Sequence, residues 1–388
     1  MIKNMHFKNW RSLKDVEIND LTPITVFIGA NSSGKTNIID ALRFWRDAQS
    51  RGLEHVVSAL GYEKIVTDAL RHFESVTTTL QFDYDLPQLS QQLIRERIDL
   101  QFEMRSLPFF YRHSIWEGET QLDYGLKQQL PAKLIEFDTH VYSMTSEELE
   151  LKQKIESYLG AFIRLRWQII SEGFAPSQQA DRRFAPSPYI IETDCSNWLQ
   201  MADFMEQAYP EIFEELRQVA VFLIETIEQV KITKRDESLH LWVRESNNRI
   251  TPLVSLGSRR LLAMLTAIHA LDIPQRDRYT DQISSTSMPG LIIIEEPDVA
   301  LNPWILERFV DQLRNYTSRE NNPRQFILTT HNPSFLNYFQ PEEVRVVERG
   351  EDGFTTVNRI PDYIREIWLN EYGLGQVWTT GSFGGVPQ

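Results

Sequence analysis

A glycine-rich stretch near the start of the chain has the residue types that hold a nucleotide phosphate. The segment FIGANSSGKTNIIDAL fits the pattern G-x-x-x-x-G-K-[ST] with Gly29, Gly34, Lys35 and Thr36. Glycines let the backbone pass close to phosphate oxygens, and the first N–H groups of a following helix attract anions. The lysine can reach the β- and γ-phosphates, and the threonine hydroxyl can bind Mg²⁺. The stretch therefore predicts a site for ATP and Mg²⁺.

The surroundings of this stretch favour a phosphate loop over a plain glycine turn. The apolar run ITVFIG precedes it and predicts a buried strand. The segment TNIIDALRFWRDA follows it and has apolar residues at helical spacing. A strand before and a helix after are the context that the pattern requires. We therefore expect four further residues to contact the nucleotide: Asn31, Ser32, Ser33 and Asn37.

Two carboxylates end a second apolar strand. The segment LIIIEEPD places Glu295 and Glu296 at the carboxyl end of that strand, where ligands gather in open α/β sheets. Glu295 can hold Mg²⁺ directly or through a water, and Glu296 can orient or deprotonate an attacking water. The alternative is a solvated pair that caps the helix beginning near Pro303. The phosphate loop upstream favours the functional interpretation.

Two other segments carry polar residues at the ends of predicted elements. FILTTHNP ends a strand at His331, which can hydrogen-bond a γ-phosphate or an attacking water, or can be a structural histidine. LVSLGSRRLLAM places Ser255, Gly257 and Ser258 at the start of a helix. These residues can cap the helix, or its positive end can bind a phosphate. The residues alone leave both alternatives open.

The elements that must position these residues lie in two α/β segments. Residues 1–87 and 250–388 predict one P-loop NTPase domain of the α/β class, with a mixed or parallel sheet built from both ends of the chain. Residues 88–249 predict a mainly helical insertion, a lid or docking domain, because two long segments have helical patterning. These segments are QLSQQLIRERIDLQFEMRSL and MTSEELELKQKIESYLGAFIRLRWQII.

Other parts of the insertion and of the second segment predict shorter elements. GFAPSQQADRRFAPSP predicts a loop, since its Pro, Gln and Ala content fits no regular element. A helical stretch interrupted near Pro210 follows, and short strands begin at VKITKRD. EVRVVERG and FTTVNRI predict an edge hairpin.

Composition excludes several classes of protein. The 388 residues carry a formal net charge of −14, which disfavours unselective binding to nucleic acid or anionic membranes. The single cysteine, Cys195, allows neither an internal disulfide nor a cysteine-rich metal site, and we expect a buried or neutral thiol. No run approaches the roughly 20 apolar residues of a membrane-spanning helix, and the N-terminus lacks the apolar core of a secretory signal. We expect a cytoplasmic protein with no membrane partner.

The order of these segments resembles that of ABC-class ATPases of the RecF/SMC-like group. This group includes the ATPase part of the overcoming-lysogenisation-defect nucleases and several abortive-infection ATPases. The segments that carry the resemblance are FKNWRSLKDVEI (opening), FIGANSSGKTNIIDAL (phosphate loop), VSLGSRRLLAM (signature), IIIEEPDVALNP (Walker B and D-loop), LTTHNPSFL (switch histidine) and YGLGQVWTTGSFGG (ending of stand-alone members). No motif covers the insertion.

The resemblance implies roles for single residues. Lys35 would take part in catalysis, Glu296 would polarise the attacking water, and His331 would sense the γ-phosphate. Thr36 and Glu295 would serve the metal. A glutamine is also expected at the metal, and the nearest candidate is Gln81, which falls within the predicted strand VTTTLQFDYDL.

The resemblance also implies an assembly. Ser255, Gly257 and Ser258 would contact the ATP that another subunit holds, so that ATP joins two subunits into a homodimer or a higher homo-oligomer and hydrolysis releases them. The signature departs from Leu-Ser-Gly-Gly, because Leu256 replaces the first glycine and Arg259 follows. This departure bears on how firmly the dimer closes.

Three functions remain open. The first is an ATP-driven switch of a prokaryotic anti-phage or abortive-infection system, and the second is a RecF-like ATPase that binds DNA in repair or maintenance. The third, a metabolic kinase, is disfavoured by the Ser-Gly and Thr-His segments. The segment after His331 is shorter than a nuclease domain, so we expect a nuclease or toxin effector on a separate chain. Four arginines of the insertion could face DNA or form a solvated face: Arg164, Arg166, Arg182 and Arg183.

Overall fold

The structure is a computed structural model of the chain, and its description covers part of the residues. These are 1–71, 73, 75–103, 106–122, 127–128, 150–151, 153–154, 157–158, 166–177, 179–181, 191–236, 238–247, 249–251, 254–274, 290–320, 323–367 and 372–385. Of the four arginines named above, Arg164, Arg182 and Arg183 lie outside them, as does the side chain of Arg166.

The helices and strands follow one another along the whole chain. They are β1 (Ile2–Trp10), β2 (Leu13–Ile18), β3 (Ile24–Ile28), α1 (Lys35–Arg51), α2 (Leu53–Leu60), α3 (Tyr62–Ile65), β4 (Ser75–Tyr84), β5 (Ile94–Glu103), β6 (Ser106–Glu117), β7 (Thr120–Gln121), β8 (Lys127–Gln128), β9 (Arg166–Ile170), β10 (Gln179–Asp181), α4 (Trp198–Ala208), α5 (Pro210–Leu223), β11 (Ile227–Arg235), β12 (Ser238–Glu245), β13 (Ile250–Thr251), α6 (Leu256–Ala270), β14 (Gly290–Glu295), α7 (Pro303–Thr317), β15 (Arg324–Thr330), α8 (Pro333–Leu336), β16 (Val344–Arg349), β17 (Thr355–Arg359), α9 (Asp362–Ile367) and α10 (Leu374–Thr379).

The chain divides into two units. The first unit contains Met1–Leu165, Pro341–Tyr372 and Val377–Gln388, and the second contains Arg166–Gln340 and Gly373–Gln376. The boundaries predicted at residues 87 and 250 differ from these, because the strands that follow residue 87 join a sheet of the first unit.

The main sheet of the first unit is antiparallel, with the strand order β2-β1-β4-β5-β6-β7 and β8 beside β6. The helix predicted over QLSQQLIRERIDLQFEMRSL is wrong, since β5 and the start of β6 occupy this segment. In β5 the buried residues Ile94, Ile98, Leu100 and Phe102 lie an even number of positions apart. A period of two places them on one face of a strand, whereas a helix would scatter them.

Helix α1 packs on the buried face of this sheet. Trp45 of α1 stacks on Phe82 of β4 with ring centroids 5.8 Å apart, and its indole N–H donates to Tyr84 Oη at 3.3 Å. Tyr84 in turn donates to the buried Glu96 (3.1 Å), whose other oxygen lies 3.1 Å from His113 Nε2. Each buried polar group of this cluster therefore has a partner, which offsets the cost of its desolvation.

A separate set of strands in the first unit carries the glycine loop. All five residues of β3 are buried, as the sequence predicts. Strand β16 pairs with β3 in parallel, and β17 pairs with β16 antiparallel, which confirms the predicted hairpin. The glycine loop therefore follows a strand, β3, whose neighbour β16 lies more than 300 residues further along the chain.

The second unit contains a parallel set of strands in which β14 lies between β15 and β9. Strand β9 falls at the end of a predicted helix, so that part of the prediction is wrong. Within β9, Trp167, Ile169 and Ile170 are buried. A short apolar run of this kind does not by itself distinguish a buried strand from a helix, and the pairing with β14 decides it.

The rest of the second unit agrees with the sequence in most places. The predicted helices are α4 and α5, with Pro210 at the start of α5, where a missing N–H costs nothing. The predicted short strands are β11, β12 and β13. Burial raises the pKa of the Cys195 thiol to about 12, so the expected buried, neutral thiol is confirmed. Within the described part of the chain, no helix is both long and apolar enough to cross a membrane.

Candidate functional site

The loop between β3 and α1 needs its two glycines. Gly29 and Gly34 have φ values of 155° and 113°, which residues with a Cβ rarely adopt. A Cβ at Gly29 would overlap the carbonyl oxygen of Val347, and one at Gly34 would overlap the hydroxyl of Thr355. The pattern of glycines thus reflects close approach of the backbone as well as its conformation.

The loop places a positive charge at its centre. Lys35 Nζ donates to the carbonyl oxygens of Gly29 (2.7 Å) and Ala30 (3.0 Å), so the ammonium group lies inside the loop. Thr36 is exposed. Among the described residues, the buried Ser33 hydroxyl has no hydrogen-bond partner. Gly34 has no side chain that could cap α1, so the first N–H groups of the helix remain for a ligand or water. This donor set fits a nucleotide phosphate with Mg²⁺.

Two residues that sequence reasoning missed support the loop from outside. The Thr355 hydroxyl, on β17, donates to the carbonyl oxygen of Ser33 at 2.9 Å and lies 2.6 Å from Ser12 Oγ. The side chain of Asn37, predicted to contact the nucleotide, instead donates to Ser12 Oγ at 2.6 Å. No local signal could have found Ser12 and Thr355, because their pairing spans 343 positions along the chain.

The glycine-rich tail lies beside the same loop. The N–H of Gly385 donates to Glu348 Oε1 on β16 at 2.9 Å, and the indole N–H of Trp378 donates to the carbonyl oxygen of Gly384 at 2.9 Å. A Cβ built on Gly385 would lie 3.6 Å from the Cα of Gly29. The tail thus packs against the first glycine of the loop, a role that the sequence pattern did not indicate.

Gln81 is the predicted site residue that the structure places elsewhere. It lies within β4, where its amide nitrogen is 3.5 Å from Asp83 Oδ1. Phe82 and Tyr84, its neighbours on the opposite face, contact Trp45 of α1. Because side chains alternate between the faces of a strand, Gln81 points away from the helix that follows the glycine loop. The structure does not bring it to Thr36.

In the second unit, the ends of two parallel strands bring together Glu296 and His331, two of the residues that the sequence predicts for the site. His331 Nδ1, just after β15, lies 2.5 Å from Glu296 Oε1, just after β14. The side chain of Glu296 is only 9% exposed, whereas that of His331 is 47% exposed. Glu295 ends β14 and is buried beside Thr329 of β15. When a histidine donates a hydrogen bond to a carboxylate, it fixes the orientation of that carboxylate and therefore the direction of the carboxylate's remaining lone pairs.

The backbone of Glu296 is in the left-handed region, with a φ of 49°. Its N–H donates to the carbonyl oxygen of Thr329 at 3.0 Å, so the turn out of β14 is tied to the neighbouring strand. A non-glycine residue is held in this region only when its surroundings determine it. The position of the carboxylate therefore depends on the pairing of the two strands.

Asp298 is a residue of the LIIIEEPD segment whose role the sequence did not reveal. Its two carboxylate oxygens accept hydrogen bonds from Thr330 Oγ1 (2.9 Å) and Asn332 Nδ2 (3.0 Å), the residues on either side of His331. Asp298 is buried, so water competes little for these bonds. It holds the turn that carries the histidine.

Arg260 connects the predicted signature helix to the backbone of Glu296. Its guanidinium donates to the carbonyl oxygens of Glu296 (3.1 Å) and Phe174 (2.6 Å) and lies 4.0 Å from the centroid of the Phe174 ring. Arg260 is 1% exposed, and this burial lowers the pKa of its guanidinium group. The start of α6 is thereby fixed relative to the end of β14.

At the start of α6, Ser255 caps the helix, which is one of the two roles that the sequence left open. Ser255 Oγ accepts the N–H of Ser258 at 3.1 Å, as an N-cap residue does. A Cβ at Gly257 would overlap the carbonyl oxygen of Ala300, so this glycine is required by close packing within the unit. Ser255 is exposed, which leaves its outer side accessible to a ligand.

The strand–loop–helix with its enclosed lysine, and the carboxylate–histidine pair at a strand end, define a P-loop protein. A family model described as "AAA domain, putative AbiEii toxin, Type IV TA system" matches residues 24–337, and the chain belongs to this family.

Relatives and a solved structure agree with this assignment. An OLD nuclease from Thermus scotoductus is 22% identical over an alignment of 383 residues, which covers 94% of this chain and 65% of the relative, so the chain spans slightly less than two thirds of that protein's length. An uncharacterized protein of Methanocaldococcus jannaschii, MJECL44, is 42% identical over 69 residues, 16% of this chain and 21% of that protein.

A crystal structure of an SMC head bound to the C-winged helix domain of ScpA is 14% identical, with a TM-score of 0.55 over 94% of this chain and 99% of that one. The fold is that of an ABC-class ATPase related to the RecF, SMC and OLD proteins.

Proposed function

We propose that the chain binds and hydrolyses ATP with Mg²⁺. The observation that carries this proposal is the Lys35 ammonium held inside the glycine loop, next to the uncapped start of α1. The ammonium group donates to loop carbonyl oxygens, and a β- or γ-phosphate would be a stronger, charged acceptor for the same donor.

The residues of the loop would divide the binding between them. Lys35 would compensate the charge of the terminal phosphates, and the backbone N–H groups of the loop would donate hydrogen bonds to the remaining phosphate oxygens. Thr36 would offer its exposed hydroxyl to the metal, with Glu295 as the acidic partner. Mg²⁺, when bound, would neutralise charge that develops on the phosphate oxygens. Gln81 is not supported as a metal ligand by its position in β4.

Glu296 would act as the base. Its carboxylate, held by His331 Nδ1, would accept a proton from the attacking water. His331 is half-exposed and would also reach the γ-phosphate, so its contact with Glu296 would change with the nucleotide. Asp298 and Arg260 would act as positioning residues, because they hold the turn around His331 and the backbone of Glu296.

The biological role that we propose is an ATP-dependent switch in anti-phage defence. ATP would join two copies of the chain through Ser255, Gly257 and Ser258, and the joined state would control a separate nuclease or toxin. The family description, which names a toxin and a toxin–antitoxin system, and the similarity to an OLD nuclease support this role. A RecF-like function in DNA maintenance is the alternative.

Equilibrium binding of a fluorescent ATP analogue, ATP turnover and light scattering test this proposal together. We expect ATP binding that Lys35→Ala weakens about 100-fold or more, turnover that Glu296→Gln slows about 100- to 1,000-fold, and ATP-dependent association that Glu296→Gln prolongs. Unchanged ATP affinity of Lys35→Ala would falsify the assignment of the loop. Turnover that duplex DNA stimulates strongly would favour the DNA-maintenance function instead.

A further inference from the structure

The second unit carries an aromatic and acidic cleft that the proposed ATPase function does not use. The cleft has a volume of about 400 Å³ and is lined by Glu225, Trp304, Glu307, Arg308 and Asp311. Four of these residues lie on α7 at the spacing i, i+3, i+4 and i+7, which places them on one face of the helix. We call this surface the α7 cleft.

Two large aromatic side chains at the cleft are exposed to an unusual extent. Trp304 is 77% exposed and Phe222, at the end of α5, is 57% exposed. The Arg308 guanidinium lies 5.8 Å from the centroid of the Phe222 ring, so the two aromatic groups belong to one continuous surface. Exposed aromatic side chains of this size are typical of protein interfaces, where they supply contact area at low entropic cost.

The charge of the cleft is negative. Arg308 is paired with Glu225, with 2.6 Å between Nη2 and Oε1, so its charge is compensated within the surface. As far as the described residues go, neither Glu307 nor Asp311 is paired with a basic side chain. Two carboxylates therefore remain beside an exposed indole. Their charge outweighs the roughly half-unit positive charge at the start of α7.

This combination selects the ligand by its chemistry. An indole face attracts a cation, and carboxylates accept the forked hydrogen bonds of a guanidinium group. Arginine meets both requirements better than lysine, since its planar group stacks on aromatic rings and is less strongly hydrated. We propose that the α7 cleft binds an arginine side chain on a basic segment of a different protein chain.

Other occupants are disfavoured by the same charges. Nucleic acid and anionic lipid would bring phosphates against Glu307 and Asp311. A second copy of this chain that used the same surface would bring four carboxylates together. A chain whose formal net charge is −14 also attracts a basic partner at long range. The proposal does not depend on nucleotide binding.

The full chain, labelled with ¹⁵N at its tryptophan indoles, tests the proposal. The chain has nine tryptophans, and the Trp304 signal is the one that Trp304→Phe removes. The probe is a short acetylated peptide with two arginines flanking a leucine, compared with versions that carry lysine or the neutral isostere citrulline. We expect the arginine peptide to shift the Trp304 signal, and Trp304→Ala to weaken its binding at least about tenfold.

The carboxylates are tested by the double variant Glu307→Gln/Asp311→Asn. It should weaken binding of the arginine peptide by a similar factor and remove the dependence on salt. Matched controls are Phe73→Ala, which removes an aromatic side chain that is 59% exposed elsewhere, and Glu211→Gln/Glu320→Gln, which removes two exposed carboxylates of the second unit. These controls should bind as the unchanged chain does.

Several results would overturn the proposal. They are the absence of any shift with millimolar arginine peptide, equal binding of the citrulline peptide, and equal losses in the control variants. A Trp304 shift on addition of duplex DNA, or self-association that Trp304→Ala abolishes without peptide, would assign the cleft to nucleic acid or to a second copy. ATP affinity, measured in parallel, should be unchanged in every variant, so that failure here is distinct from failure of the ATPase assignment.

Discussion

The glycine loop of the first unit follows the buried strand β3. In the second unit, the turns after the buried strands β14 and β15 carry Glu296 and His331, and we call these two turns the carboxylate edge. The loop and the edge are held in different ways. The loop depends on the hydroxyls of Ser12 and Thr355, which meet across 343 positions of the chain. The carboxylate edge depends on partners from two adjacent parallel strand ends, and Asp298 and Thr330 are 32 positions apart. The residues that support the loop therefore lie outside its own segment of the sequence. Asp298 and Thr330, which support the edge, lie within the segments LIIIEEPD and FILTTHNP themselves.

Because the loop and the edge are held by different residues, ATP affinity and ATP turnover should respond to different substitutions. Residues that support the loop hold backbone groups that would bind phosphate, so their loss should weaken nucleotide binding. Residues that support the edge hold Glu296 and His331, so their loss should slow the chemical step and leave affinity nearly unchanged. The variants below test this separation, from the largest expected effect to the smallest.

The change Glu296→Gln should have the largest effect on turnover. The amide keeps the size of the side chain but cannot act as a base, so we expect kcat to fall about 100- to 1,000-fold while ATP affinity is kept. Single-turnover and binding measurements check both values. Glu320→Gln, on an exposed residue of the same unit, is the control. A parallel loss of ATP affinity would contradict the proposed division of roles.

The change Lys35→Ala should have the largest effect on affinity. Removing the ammonium removes the charge-assisted bonds to phosphate, so we expect ATP binding to weaken about 100-fold or more. Isothermal titration measures this loss, and Lys64→Ala, an exposed lysine of the same unit, controls for the change in net charge. Comparable affinities for the two variants would refute the role of the loop.

The change Thr355→Val tests whether the loop depends on its distant support. The valine keeps the volume but cannot donate to Ser33 O, so we expect about tenfold weaker ATP binding with kcat nearly unchanged. Thr355→Ser, which keeps the hydroxyl, should restore the affinity. If valine and serine variants bind ATP equally well, the hydrogen bond does not position the loop.

The change Asp298→Asn tests the support of the carboxylate edge. An asparagine can accept only one of the two hydrogen bonds and turns an N–H₂ group towards a donor, so we expect a loss of about 1–3 kcal/mol in unfolding free energy. Turnover should fall with it, and ATP affinity should not. Asp236→Asn, at an exposed turn, is the matched control. A change in affinity alone would place Asp298 with the loop and not with the edge.

The changes Ser255→Ala and Ser255→Asn separate capping from ligand contact. Alanine removes the N-cap and should cost about 1 kcal/mol in unfolding free energy, whereas asparagine keeps a capping acceptor and the stability. If Ser255 also contacts the ATP of a second copy, the asparagine variant should associate more weakly in ATP. Association identical to that of the unchanged chain would leave capping as its whole role.

The candidate site could be predicted in part because some of its chemistry is local. Gly29, Gly34 and Lys35 act within one turn of chain, and Glu296 and His331 stand directly after apolar strands. For the segment of β5 the sequence predicted a helix, because the charged residues between its apolar ones also fit the exposed face of a helix. The apolar residues of β5 nevertheless recur with a period of two, which is the spacing of a strand. Thr355 could not be predicted, since its role depends on which strand lies beside the loop.

The sequence by itself determined the glycine loop, the buried strands before it and before Glu296, and the helices that follow them. These features rest on backbone conformation and on apolar periodicity, which act over a few residues. Only the tertiary structure decided that Thr355 and the tail support the loop, that Asp298 holds the turn of His331, and that Gln81 faces away. Such contacts depend on strand pairing between distant segments, and pairing is set by the burial of the whole core rather than by any one segment.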